Sequence, residues 1–171
     1  MDLNKLKAGE NPPHDINAVI EIPVGSPPVK YEMDKDSGMI TVNRFWHTAM
    51  VYPANYGFIP HTLAKDGDPL DVLVMGNIPV IPGSVIHAVP VGVLFMEDDG
   101  GIDEKILARP SKKTDPTFAH INDLKDVPEL TLNRIFHFFS HYKDLEEGKW
   151  TKVTKWGDAQ EAKDIISKFL E

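Results

Sequence analysis

Helical periodicity enters this 171-residue chain late, and that order constrains its fold more than any other feature. Up to residue 110 the apolar residues fall into short extended runs at 17–24 (NAVIEIPV), 29–34 (VKYEMD), 39–45, 71–76, 84–96 and 105–110, punctuated by glycine and proline. The fourteen prolines are scattered among these runs, with no linker and no internal repeat. Three- and four-residue spacing first appears in PELTLNRIFHFFSHYKDLEEG, where Leu132, Ile135, Phe136, Phe139 and Tyr142 recur between Pro128 and Gly148. It returns in the tail, where Asp158 and Glu161 are spaced as a capping box and Ala162, Ile165, Ile166 and Phe169 form one stripe. Between the two, WTKVTKW alternates as a late strand, with Trp150 and Trp156 read as packing residues. Strands followed by helices predict the α+β class: one domain over 1–171, a small barrel or curled sheet braced by helices.

Charge narrows the function. A formal net charge of −8 argues against nucleic-acid binding by phosphate neutralisation, so an anionic substrate needs metal ions or a local basic cluster. The chain has no cysteine, which removes disulfides and thiolate metal sites. Its start, MDLNKLKAGENPP, lacks the apolar core of a signal peptide, and no run approaches the roughly 18 apolar residues of a membrane span. A soluble, cytoplasmic protein without membrane partners is expected.

The densest chemistry lies in DGDPLDV, residues 66–72, with Asp66, Asp68 and Asp71 around Pro69. By itself the run is as readily a solvated turn as a ligand set, since Asp-Gly is a common turn pair. An EF-hand loop does not fit: counting from Asp66, Asp71 stands at the position for glycine and Asn77 at the position for glutamate. Carboxylates remain the hard oxygen donors that Mg²⁺ and Mn²⁺ prefer. Further polar groups join them. Glu21 interrupts an apolar strand, and Lys30 and Glu32 share one face of VKYEMD; pairing of these two strands as a hairpin would gather all three, although a solvated sheet face gives the same pattern. EDDGGIDEK places Asp98, Asp99, Asp103 and Lys105 about a Gly-Gly bend, and Arg44, Tyr52, Tyr56, Tyr142 and Lys143 complete the set.

In this order, from about residue 10 to about residue 160, the strings resemble the family I soluble inorganic pyrophosphatases. The family's D-G-D-P-x-D run is met by Asp66 to Asp71, its strand glutamate and K-x-E by Glu21, Lys30 and Glu32, and its arginine and paired tyrosines by Arg44, Tyr52 and Tyr56. Asp98, Asp103 and Lys105 meet the later acidic motif, and Tyr142 and Lys143 the Tyr-Lys pair. The resemblance implies an OB-like β-barrel with flanking helices, and a Mg²⁺-dependent hydrolysis of pyrophosphate to two orthophosphates by direct attack of water, with Mn²⁺ or Zn²⁺ as substitute metals. It further implies that Asp66, Asp71, Asp103 and Asp98 hold metal directly, that Glu21 and Glu32 do so mostly through water, and that Asp68 is the general base. Lys30, Arg44, Tyr56, Lys105, Tyr142 and Lys143 would hold phosphate oxygens, with Tyr52 behind them. Asp99 stands where relatives often carry glutamate, and its shorter side chain leaves it out of the site. A homo-oligomer, a hexamer at this length, is also implied, with the late aromatic helix as a candidate interface.

Charge balance agrees with several metals. The seven acids assigned above outnumber Lys30, Arg44, Lys105 and Lys143 by three, and nearly ionised pyrophosphate adds about four more negative charges, which about three to four divalent cations would neutralise. Two other functions share some of these features. A phosphohydrolase acting on nucleotides or phosphoesters would use the same acids but needs a pocket for the organic group. An oligonucleotide-binding barrel would need a basic, aromatic groove that the acidic balance opposes. His137 and His141 stand four apart, yet HFFSH lacks the glutamate of a zinc-protease HExxH motif, and the helix's aromatic face accounts for them as well.

Overall fold

A computed structural model describes residues 5–171. The strands among them are β1 (Ile16–Ile22), β2 (Val29–Met33), β3 (Ile40–Phe45), β4 (Asn55–Phe58), β5 (Asp71–Val74), β6 (Val85–Asp98), β7 (Gly101–Ile102), β8 (Lys105–Pro110) and β9 (Thr151–Gly157). Two α-helices follow the expected order, α1 (Glu129–His141) ahead of β9 and α2 (Ala159–Phe169) after it. Strands β1, β4, β5, β8 and β6 are hydrogen-bonded in that sequence, and pairing of β6 back onto β1 closes the ring. This is an OB-like barrel, strand-rich with flanking helices, of the α+β class the sequence predicts.

Close approach of backbones shapes the ring. A Cβ on Gly57 would lie 1.8 Å from the Val19 carbonyl oxygen, so only glycine lets β4 pass against β1 there. The 14-residue β6 serves two partners in succession because it bends at two irregularities in register, between Pro90 and Gly92 and between Phe95 and Met96. Its first half belongs to the ring, and its second half pairs with β9 and with the short β7.

Alternation divides the buried side chains into two cores. Val72 and Val74 of β5 enter one with Ile106 of β8 and with Ala162 and Ile166 of α2. Leu73 enters the other with Leu107 and with Ile135, Phe138 and Phe139 of α1. The capping box of α2 forms as spaced, with Asp158 accepting from the Gln160 and Glu161 amides.

Several sequence expectations are corrected. β2 pairs with β3 and not with β1, since its own turn lies C-terminal to it at residues 34–39. β4 escapes a propensity reading because NYGF contains a glycine and follows Pro53. α1 ends at His141, well short of Gly148, and residues 142–147 continue in turns. Its aromatic face is enclosed by the chain's own core, which leaves Leu130, Asn133, Arg134, His137 and His141 outside. The two histidines therefore do not belong to the aromatic face. Trp156 packs against the core as expected, whereas Trp150 is half exposed. No helix among the described residues is long and apolar enough to cross a membrane.

Candidate active site

Parallel pairing of β5 with β8 sets Asp71 directly opposite Lys105. Lys105 is only 2% exposed, and its ammonium lies 2.6 Å from Asp71 Oδ2 and 2.8 Å from Asp103 Oδ1. It also stands 5.4 Å above the Tyr56 ring and 5.3 Å above that of Phe139. Burial works against this cation, but the two carboxylates outweigh it and raise its pKa well above the lysine range. Asp103 is itself held up, first by desolvation, with Lys105 opposing. Upstream of β5 the loop turns through Gly67 at φ +89°, where the Asp68 amide donates to Asp66 Oδ1 at 3.0 Å. The acidic run is thus a turn and a wall of the cleft at once.

The opposite wall is the β2–β3 hairpin. Register places Lys30 across from Arg44, a like-charge pair that is unfavourable alone and suited to an anion between the two. Glu32 compensates locally: its Oε1 is 2.5 Å from Lys30 Nζ, and its Oε2 accepts from Asn43 Nδ2 at 2.7 Å. Desolvation opposes ionisation of Glu32, but these partners win and lower its pKa. Arg44 donates to Asn43 Oδ1 at 2.7 Å and lies 5.4 Å over the Trp46 ring. Glu21 joins from β1, where the register slips between Ile20 and Ile22; its Oε1 accepts from the Met33 amide at 2.7 Å. Burial pushes its carboxyl up to about 7, against the lowering effect of that hydrogen bond, with Asp71 adding to the rise.

Two further segments close the ends. Asp99 and Gly100 form the tip between β6 and β7, the turn chemistry expected of Asp-Gly, and Asp98 Oδ1 caps it by accepting from the Gly100 amide at 2.7 Å. Lys143, just past α1, is buried and reaches Asp98 Oδ2 at 2.5 Å and Asp99 Oδ1 at 3.2 Å. Burial keeps the Tyr52, Tyr56 and Tyr142 phenols protonated well above the usual tyrosine range.

All these walls face one cavity of about 640 Å³, and every acidic, basic and aromatic residue assigned from the sequence lines it. Lys35, Asp36, Trp46, Phe139, Glu104 and Lys149 line it too, without having been singled out. Lys35 reaches Asp68 Oδ1 at 2.8 Å from the hairpin tip, and Lys149 reaches Asp99 Oδ2 at 2.8 Å. Asp99 therefore faces the cleft; Lys149 first, and Lys143 with it, draws its carboxyl down to about 2. No local motif marks these residues, because single charges on turns look alike until the chain folds.

Ten acidic and six basic side chains line the cavity. The donors are carboxylate oxygens without histidine or cysteine, the chemistry of a hard divalent cation. Among the described residues no three of them converge at metal-binding spacing; Asp71 and Asp103 instead share the Lys105 ammonium.

Residues 18–171 match the family model for inorganic pyrophosphatase. Over 170 residues the chain is 56% identical to an inorganic pyrophosphatase of Rhodospirillum rubrum, covering 99% of this chain and 95% of the relative. A counterpart from Rickettsia bellii is 56% identical over 171 residues, 100% of this chain and 97% of the other. A crystal structure from Anaplasma phagocytophilum, described as an inorganic phosphatase, superposes with a TM-score of 0.94 at 49% identity, covering 97% of each chain.

Proposed function

The chain belongs to the inorganic pyrophosphatase family, and from that membership we propose how its own residues carry out the hydrolysis of pyrophosphate to orthophosphate. The family implies a divalent metal cofactor, and the carboxylate lining fits one; we assign Mg²⁺, with Mn²⁺ or Zn²⁺ as substitutes. When bound, such ions lower the pKa of water and neutralise phosphoryl oxygens. Asp66, Asp71, Asp98 and Asp103 would hold them directly, with Glu21 and Glu32 contributing mostly through water.

The observation that carries the proposal is the opposition of two walls: Asp71 and Asp103 about Lys105 on the barrel, and Lys30 across from Arg44 on the hairpin. Pyrophosphate seated between them meets Lys30 and Arg44 on one side and Lys105 and Lys143 on the other. Because the Tyr56 and Tyr142 phenols keep their protons, they donate hydrogen bonds to phosphate oxygens and do not act as bases. Asp68, on the open loop, takes a proton from the water that attacks phosphorus. A phosphorus–oxygen bond forms, the bridging bond breaks, and its electron pair leaves with the second phosphate. No phosphoenzyme is involved.

Loss of Asp71 and loss of Asp68 should fail differently. Asp71→Asn weakens metal binding, and excess Mg²⁺ restores part of its activity. Asp68→Asn binds metal nearly normally, loses roughly 10²- to 10⁴-fold in turnover, and is not rescued. Activity against Mg²⁺ concentration, beside metal titrations of both proteins, tests this; matching curves with equal rescue would overturn the division of roles. The remaining parts of the proposal are one catalytic domain over 1–171, a cytoplasmic location and a homohexamer. Exposed Phe45, Ile78 and Ile81, at 69%, 75% and 79%, support assembly, and light scattering in solution tests it.

A further inference from the structure

Trp46 lines the cleft but offers nothing to a metal or a phosphate, because its single polar group is spent inside the protein. It follows directly on β3, where its amide donates to the Pro28 carbonyl at 2.8 Å and carries the hairpin pairing one residue beyond both strands. Two positions from Arg44 on extended backbone, it shares that residue's face, while Phe45 between them points outward, 69% exposed. The indole is buried, stands 5.4 Å from the Arg44 guanidinium carbon and meets the Tyr142 ring edge-on at 5.2 Å. Its N–H donates to the Tyr52 hydroxyl at 3.1 Å.

Each contact has a chemical consequence. Lys30 stands across from Arg44, so repulsion drives the guanidinium away unless a partner holds it. The indole face does so by cation–π attraction, together with the hydrogen bond to Asn43. An indole nitrogen can only donate, so the Tyr52 hydroxyl must accept from it and keeps its own proton to give elsewhere. Among the described residues that bond to Trp46 is the one hydrogen bond the hydroxyl makes, and Tyr52 too lines the cleft. We propose that Trp46 is a positioning residue for pyrophosphate hydrolysis: its ring holds Arg44 toward the substrate, and its N–H turns the Tyr52 hydroxyl so that the phenol donates into the cleft, to a phosphate oxygen. The proposal rests on the assignment of Arg44 to substrate binding.

Steady-state kinetics on pyrophosphate with saturating Mg²⁺, in two double-mutant cycles, test it. Trp46→Leu removes the ring and should raise KM about 2- to 30-fold, the range of a cation–π contact from exposed to desolvated. In Arg44→Ala that increment should vanish, because the cation the ring holds is gone; a loss of packing alone would add its full factor. Trp46→Phe keeps a ring beneath Arg44 and loses only the N–H, so its KM should rise much less. It also preserves the packing should the leucine variant fold poorly. Tyr52→Phe should lower kcat/KM by a smaller factor in Trp46→Phe than in the parent, since both changes remove one oriented donor. Full additivity in either cycle would overturn the proposal. An unchanged KM in Arg44→Ala itself would instead remove Arg44 from substrate binding, and the proposal with it.

Discussion

At Glu21 a carboxyl group is held among the apolar residues of β1, and its environment makes stability depend on pH. With its pKa raised to about 7 from 4.5, the protonated group contributes stability that is complete below about pH 4.5 and lost as pH rises through 7. Carboxylates with lowered values, such as Asp99, act in the opposite sense, so the informative quantity is the difference between the parent and Glu21→Gln. In chelator, urea unfolding should show the variant gaining on the parent between pH 4.5 and pH 8, by on the order of 2–3 kcal/mol. A difference independent of pH would mean that Glu21 is not held up by burial. Lys30→Ala and Arg44→Ala should raise KM tenfold or more while Mg²⁺ binding to the free protein stays intact, since each removes a charge-assisted hydrogen bond to substrate worth roughly 1.5–3 kcal/mol. Loss of Mg²⁺ binding in either would reassign it. Residues inside ordered strings, Asp66 to Asp71 or Lys30 with Glu32, were legible because the chemistry repeats locally. Lys35 and Lys149 were not, because their place depends on which distant carboxylate the fold brings near.

Among the elements, β4 shows why boundaries resist reading from sequence. Asn55–Phe58 is held in the ring by neighbours on both sides and by the contact of Gly57 with β1, not by its own propensity. Gly57→Ala should therefore cost about 3 kcal/mol or more, because its methyl collides with backbone that cannot move aside. Thermal unfolding would register this as a marked fall in Tm; an unchanged Tm would mean that β1 and β4 can separate at this point. The β2–β3 hairpin illustrates the other limit. Its strands alternate clearly in the sequence, but alternation does not name a partner, and Glu21 meets Met33 through a side-chain hydrogen bond and not through strand pairing. α1 was legible as a helix from its apolar spacing, while its end was not, since the residues after His141 keep a helix-like composition as they turn toward the cleft.

For the molecule as a whole, the late appearance of helices foretold a barrel or curled sheet braced by helices, the resemblance implied the barrel, and the closed ring is its realisation, with α1 packed on β9, α2 on β6, and the two helices contributing to different cores. The excess of acidic charge likewise left an anionic substrate needing metal ions or a local basic cluster, and carboxylates and six basic side chains line one cavity together. What the sequence could not supply was the facing of two walls, one mainly acidic and one bearing paired cations, across one cavity of about 640 Å³. That arrangement is tested most directly by phosphate release from pyrophosphate, a nucleoside triphosphate and a phosphomonoester, each assayed with Mg²⁺ and with excess chelator. Fast release from pyrophosphate alone, abolished by chelator, is expected; equal rates on all three substrates, or an undiminished rate in chelator, would contradict it.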